Sequence, residues 1–542
     1  MRKRLTQDVS RRSSGRPRTV SRLANWPYHL TALPRPDNVF QVDCAPRVPP
    51  ESPARGAGTA AAGSESEDEP MSDVVTLHED RLFPSEPGER TIARRLYAEV
   101  RELPIISPHG HTEPAWFADD EPFADPAALL LVPDHYVFRM LYSQGVALED
   151  LGVPAEDGRV VERNARAIFF RFAARWHLFR GTPTRLWIEQ ALHDVFGIRE
   201  RLSAASADRI YDQIVEALTR PELRPRALFE RFRIEVLATT ESPLDPLLHH
   251  QKIRDSGWPG RIVPTYRADP VVDPELAEFA ANVGQLAALT GEDTASWPGY
   301  LRALADRRRF FAAWGATATD HGHRSATTYD LSPAECQKLL TGALAGRLSP
   351  GEAERFRGHM LVEMARMSLD DGLVMQLHPG SFRNHNPAIC GRFGRDKGAD
   401  IPTATDYVHA LKPLLDRFGN EPKLTLIVFT LDESSYSREL APLAGHYPAL
   451  RLGAPWWFHD SPEGMRRFRE HTSETAGFYN TVGFNDDTRA FLSIPGRHDV
   501  ARRMDCAFLA RLVADHRLDE DEARDVAVDL AYRLAKRAYR FV

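Results

Sequence analysis

The chain has 542 residues, 42% hydrophobic and 27% charged, with a formal net charge of −7. That is the composition of a globular protein, and its acidic balance gives no electrostatic footprint for nucleic acid or an anionic membrane. No apolar run approaches the roughly 20 residues that cross a bilayer, and Cys44, Cys336, Cys390 and Cys506 form neither a CxxC pair nor a disulfide framework, so a reducing, cytoplasmic setting is expected.

Residues 1–70 read as a disordered extension. The start is rich in Arg and Ser, and "PPESPARGAGTAAAGSESEDEP" has too little apolar periodicity to bury a core. An Arg-rich, acid-poor start can mimic a transit peptide, but "MSDVVTLHEDRLFP" from Met71 has the look of an ordinary start and is the preferred reading. From residue 71 to 542 one domain is expected. Eight short β-branched or apolar runs end in polar residues: "ELPIISPHGH", "RIEVLATTES", "RIVPTYRAD", "WGATATDHGH", "DGLVMQLHPGSFR", "KLTLIVFTLDE", "LRLGAPWWFHD" and "NTVGFNDDTR". Between them, apolar residues recur at three and four, as in helices packed on one face. Eight β/α units predict a (β/α)8 TIM barrel, whose site lies at the carboxyl ends of the strands. The stretch at about 136–232 is too long for a βα connection and predicts a helical insertion between strands 1 and 2. Helices are expected again beyond the eighth strand.

The strand ends carry the chemistry. His109 and His111 are two apart at the end of the first strand, so both imidazoles can reach one cation, with Gly110 keeping the middle clear. Surface histidines in a turn are the bland alternative. Asp486 and Asp487 end the eighth strand, the first strand's neighbour in a closed barrel, where a carboxylate completes a set for zinc or manganese or caps a helix. His321 and His378 end the fourth and fifth strands and are expected to face the site, with Arg383 close behind. Trp456 is read as core and Trp457 as site. His249 and His250 are read as solvated helix residues.

Together these segments resemble the amidohydrolase superfamily and, within it, the uronate (glucuronate) isomerase family. The resemblance is carried in order by "SPHGHTEP", "DHYVFRML", "TTESPLD", "VPTYRAD", "TDHG", "MQLHPGSFRNHN", "APWWFHDSPEGM", "DDTRAFLS", "RHDVARR" and "AKRAYRF". It implies that His109, His111 and Asp487 hold a divalent metal, one zinc (or manganese or cobalt). Asp487 is chosen over Asp486 because it stands two before Arg489. The resemblance further implies substrate contacts from His135, Tyr136, Arg267, Trp457 and Arg489, with Arg267 on the sugar carboxylate. Asp487 or Tyr136 would carry the proton, and Arg489 would stabilise charge beside it.

The implied reaction interconverts D-glucuronate and D-fructuronate, with D-galacturonate and D-tagaturonate as a second pair, through an enediol. A small uronic acid is then the substrate, no nucleic acid or membrane is a partner, and a homo-oligomer is expected. The chain departs from the family at "YRADP", where a lysine is usual, and at His385, where asparagine is common. The alternative is a mononuclear metal-dependent hydrolase of the same superfamily. A two-metal hydrolase is disfavoured because the fourth strand end, "ATATDHGHR", has no lysine to bridge the ions. A catalytically dead scaffold would be expected to have lost these ligands.

Overall fold

In the computed structural model, which describes residues 74–541, seven of the expected strands form one parallel sheet. They are β1 (Ile105–Ser107), β2 (Ile234–Glu241), β3 (Ile262–Arg267), β4 (Ala318–His321), β5 (Val374–Leu377), β8 (Leu426–Val428) and β9 (Leu450–Leu452). A two-residue antiparallel pair, β6 (Ser381–Phe382) with β7 (Ile401–Pro402), stands apart from the sheet. The expected extension over residues 1–70 and the start at Met71 lie outside the described residues.

Period-two alternation sorts each strand into an inner and an outer face. Ile106, Val236, Ala238, Val263, Ala318, Val374, Ile427 and Val482 form one inner cluster. Tyr266, Met375, Leu377, Leu426, Val428, Leu450 and Leu452 face outward into the helical layer. Tyr539 and Phe541 close the inner cluster from the C-terminal tail, and the Tyr539 hydroxyl donates to Gln376 Oε1 at 2.9 Å.

The expected eighth strand is not a regular strand. Thr481 makes a single parallel bridge to Leu452, and Val482 N donates to Leu452 O at 3.1 Å. On the other side, His111 N donates to Thr488 O at 3.0 Å, so this segment still links β9 to the end of β1. Positive φ at Gly483 (76°) and Asp487 (34°) breaks the ladder. A side chain at Gly483 would also run into Leu530 O, 2.8 Å from the position of a Cβ.

The insertion between β1 and β2 is helical and begins earlier than expected, with helix Pro114–Asp119, and runs to helix Pro225–Arg231. Proline at a first helical position starts both. Its apolar residues, Phe138, Phe169, Phe172 and Ile210 among them, build a separate core. Helices Pro333–Leu344 and Pro350–Asp371 each open on a capping box, Ser332 with Glu335 and Ser349 with Glu352. No described helix is long and apolar enough to cross a membrane.

His250 is a correction: it is buried rather than solvated, with Nε2 3.0 Å from Thr239 Oγ1, while His249 on the opposite side of the helix is exposed. Beside it, burial pushes the Glu241 carboxyl up to about 8 from an ordinary 4.5. The unfolded chain then releases this proton first, so stability falls as pH rises between those two values. Glu241→Gln keeps the neutral shape and is expected to flatten that fall. Melting temperatures at pH 5 and pH 8 that drop equally in both proteins would refute the assignment.

Candidate active site

Strand parity decides which strand-end residues reach the barrel mouth. On β3 the inner positions run Val263, Thr265, Arg267; on β4, Ala318 and Asp320; on β5, Val374, Gln376 and then His378. Arg267, Asp320 and His378 accordingly line the mouth cavity, together with His109, His111, His135, Tyr136, Arg383, Trp457, Asp487 and Arg489. His321 has the opposite parity. It is fully buried outside the cavity lining, with Nε2 3.1 Å from Thr319 Oγ1, so the expectation that it faces the site is corrected.

Asp487 Oδ1 lies 3.1 Å from His111 Nε2 and 3.6 Å from His109 Nε2. The approach is close but off the hydrogen-bonding direction, and this buried oxygen has no hydrogen-bond partner. Its other oxygen accepts from Trp456 Nε1 at 2.6 Å. A non-glycine residue at φ 34° stores backbone strain, which surrounding contacts must hold. Asp486 also borders the cavity, but its oxygens are engaged: Oδ1 accepts from Ser107 Oγ at 3.0 Å and Oδ2 lies 2.9 Å from His498 Nε2.

Burial lowers His109 to about 4 and also lowers His111, so both rings are neutral near pH 7. Burial alone would raise Asp487, but its two histidine neighbours outweigh that and hold the carboxyl below the usual range. Two neutral imidazoles and an ionised carboxylate with a bare oxygen fit a divalent cation. His109, Asp320 and His378 form a second, overlapping triad. There His378 Nδ1 is already tied to Asp320 Oδ1 at 2.7 Å.

Three guanidinium groups face the same space. Arg267 is held by Asp269 through Nε at 3.2 Å and by Asp320 through Nη1 at 3.3 Å. Arg383 is held by Asp400 at 2.9 Å, and Arg489 stands 3.9 Å from Asp396. Gly322 is required beneath them, because a Cβ there would sit 2.6 Å from Arg267 Nη2 and 3.2 Å from Arg383 Nη2. The Tyr136 hydroxyl donates to Asp460 Oδ1 at 3.0 Å and accepts from Phe458 N at 3.2 Å. Burial, reinforced by Asp460, raises that phenol well above 10, so it stays protonated. His135 packs edge-on against Trp457 with centroids 4.8 Å apart. His135 Nε2, His378 Nε2, Trp457 Nε1 and Asp487 Oδ1 are all buried without hydrogen-bond partners, and all belong to residues lining this one cavity.

Sequence reasoning missed Asp320, Asp396, Asp460, Arg497 and Trp456, which also line it. Asp320 was legible from strand parity, since it stands two after inward-facing Ala318. Asp396 comes from a loop with no periodicity to read. A larger cleft of about 640 Å³ lies against helix Pro87–Val100 and the start of β1. Its charges, such as Arg94 with Asp80 and Arg503 with Asp499, are already paired.

A parallel barrel with two histidines after its first strand and an aspartate in its eighth segment is an enzyme scaffold whose strand ends bring together residues that could hold a metal. Comparison with known proteins gives the particular family. A glucuronate isomerase family model matches residues 87–539. The uronate isomerase of Xanthomonas campestris pv. campestris is 67% identical over 87% of this chain and 100% of its own length. That of Rhizorhabdus wittichii is 65% identical over 86% and 99%. The crystal structure of glucuronate isomerase from Caulobacter crescentus, 58% identical, superposes with a TM-score of 0.84 over 86% of this chain and 97% of its own. That of Thermotoga maritima uronate isomerase, 27% identical, gives 0.80 over 86% and 100%. The chain belongs to the glucuronate isomerase family.

Proposed function

We propose that the mouth cavity binds a uronic acid and moves its proton between C2 and C1. Family membership makes the protein an aldose–ketose isomerase of uronates, and the substrate pairs we assign are D-glucuronate with D-fructuronate and D-galacturonate with D-tagaturonate. The observation that carries the reading is the convergence of unpartnered His135 Nε2, His378 Nε2, Trp457 Nε1 and Asp487 Oδ1 on one cavity walled by four arginines, Arg267, Arg383, Arg489 and Arg497. A polyhydroxylated anion satisfies such a surface, whereas an apolar ligand would leave each buried polar atom unpaired.

His109, His111 and Asp487 would hold one divalent ion, zinc in our assignment, which polarises the substrate's oxygens and stabilises developing negative charge. The protein does the rest. Arg267 takes the carboxylate, because its Nε and Nη1 are fixed by Asp269 and Asp320 and its remaining nitrogen is presented ready-oriented. Arg383 adds positive charge beside it. Asp487, ionised and with a bare oxygen, removes the proton from C2 of the aldose and returns it to C1, while a hydroxyl proton passes from O2 to O1. Tyr136 stays a neutral donor that fixes Asp460 and the Trp457–Phe458 turn. Arg489 stabilises charge beside the transferred proton.

The test is to incubate metal-replete protein with D-glucuronate in D2O. D-Fructuronate carrying deuterium at C1 is expected, since a carboxyl base exchanges its proton with solvent. Failure to convert either glucuronate or galacturonate, alongside hydrolysis of a lactone or amide, would replace the isomerase reading with the hydrolytic one.

A further inference from the structure

Behind the cavity wall stands a second His-Gly-His, His321-Gly322-His323, at the end of β4. His321 is 0% and His323 4% exposed, and neither lines the mouth cavity. His323 Nε2 lies 3.6 Å from Asp269 Oδ1, and the ligand atoms of Asp269, His321 and His323 all fall within 4.8 Å of one another. Four ligands at zinc bond lengths stand about 3.4 Å apart, so closing the set takes a shift of about 1 Å or less.

The hydrogen bonds leave both imidazole donor atoms bare. Thr319 Oγ1 lies 3.1 Å from His321 Nε2 and 3.5 Å from Val374 O. With the ring proton on Nε2, where Thr319 Oγ1 can accept it, His321 Nδ1 carries a lone pair and no buried N–H is left unpaired, which is how an outer partner prepares a histidine ligand. His321 Nδ1 and His323 Nε2 are both buried without a hydrogen-bond partner. On Asp269, Oδ2 takes Arg267 Nε, and Gly322 N steadies the carboxylate from 3.0 and 3.1 Å. Oδ1 remains turned to His323.

We infer that Asp269, His321 and His323 form a second, structural divalent-metal site, suited to zinc, that ties the end of β3 to the end of β4. Its two nitrogens and one oxygen leave a fourth position for water or a carbonyl. The site holds Asp269 in place and, through Asp269, steadies the Arg267 guanidinium without touching substrate.

The test is metal stoichiometry, read on apo-protein titrated with zinc against a chromophoric chelator and checked by elemental analysis after dialysis. Wild type is expected to bind two equivalents per chain and His323→Gln one. His109→Leu, which removes the residue shared by both triads at the mouth, is expected to keep one. A single equivalent in wild type that is lost in His109→Leu and unchanged in His323→Gln would overturn the proposal while leaving the mouth site intact. Should His323→Gln fail to fold, His109→Leu decides alone: one retained equivalent supports the site and none overturns it.

Discussion

Asp487→Asn is expected to release the mouth metal and to lower kcat by about a thousandfold or more, about 4 kcal/mol of barrier. The substitution is close to isosteric, and an amide oxygen can still accept from Trp456 Nε1, so the strained φ of 34° keeps its support. What disappears is the negative charge on the oxygen 3.1 and 3.6 Å from the two imidazoles. In our assignment the same atom is both cation ligand and base, so metal content and turnover fall together. Asp486→Asn is the contrast. That residue is spent on Ser107 and His498, and its substitution is expected to cost thermal stability while leaving the metal bound. Full metal content with near-normal turnover in Asp487→Asn would remove Asp487 from both roles.

The sequence was most legible where a fixed period ruled. The inner cluster from Ile106 to Val374 follows from strands alternating every second residue, and that rhythm was enough to expect a closed set of β/α units. It misled where the alternation was not carried to its end. His321 was expected at the mouth because it ends the fourth strand, yet Ala318 faces inward, so Asp320 faces inward and His321 cannot. The eighth segment was legible as a strand by composition but not in conformation, because positive φ at Asp487 arises from the packing of Trp456 and β1 around it. Trp456 was assigned to the core. Its indole does pack against the inner cluster, but its N–H goes to Asp487, which no local pattern announces. The insertion's start at Pro114 was missed for a different reason: a six-residue helix is too short to display a period.

Arg267→Lys is expected to raise KM by about 30-fold, about 2 kcal/mol of lost carboxylate binding, with a much smaller change in kcat and none in metal content. A carboxylate distant from the reacting carbons is held about equally in the ground and transition states, so its loss appears in KM. Geometry makes the exchange severe although the charge is kept. Asp269 and Asp320 grip two of the three guanidinium nitrogens and fix the plane of the third, while a lysine offers one nitrogen that cannot meet two carboxylates and a ligand in those directions. The freed Asp320 would then rest on His378 alone, 2.7 Å away, and carry more negative charge toward the substrate, which adds repulsion to the lost bond. An unchanged KM would transfer the carboxylate to Arg383 or Arg489. Loss of the mouth metal would instead make Arg267 a support of His109 acting through Asp320, and the measured split between KM and metal content separates the two.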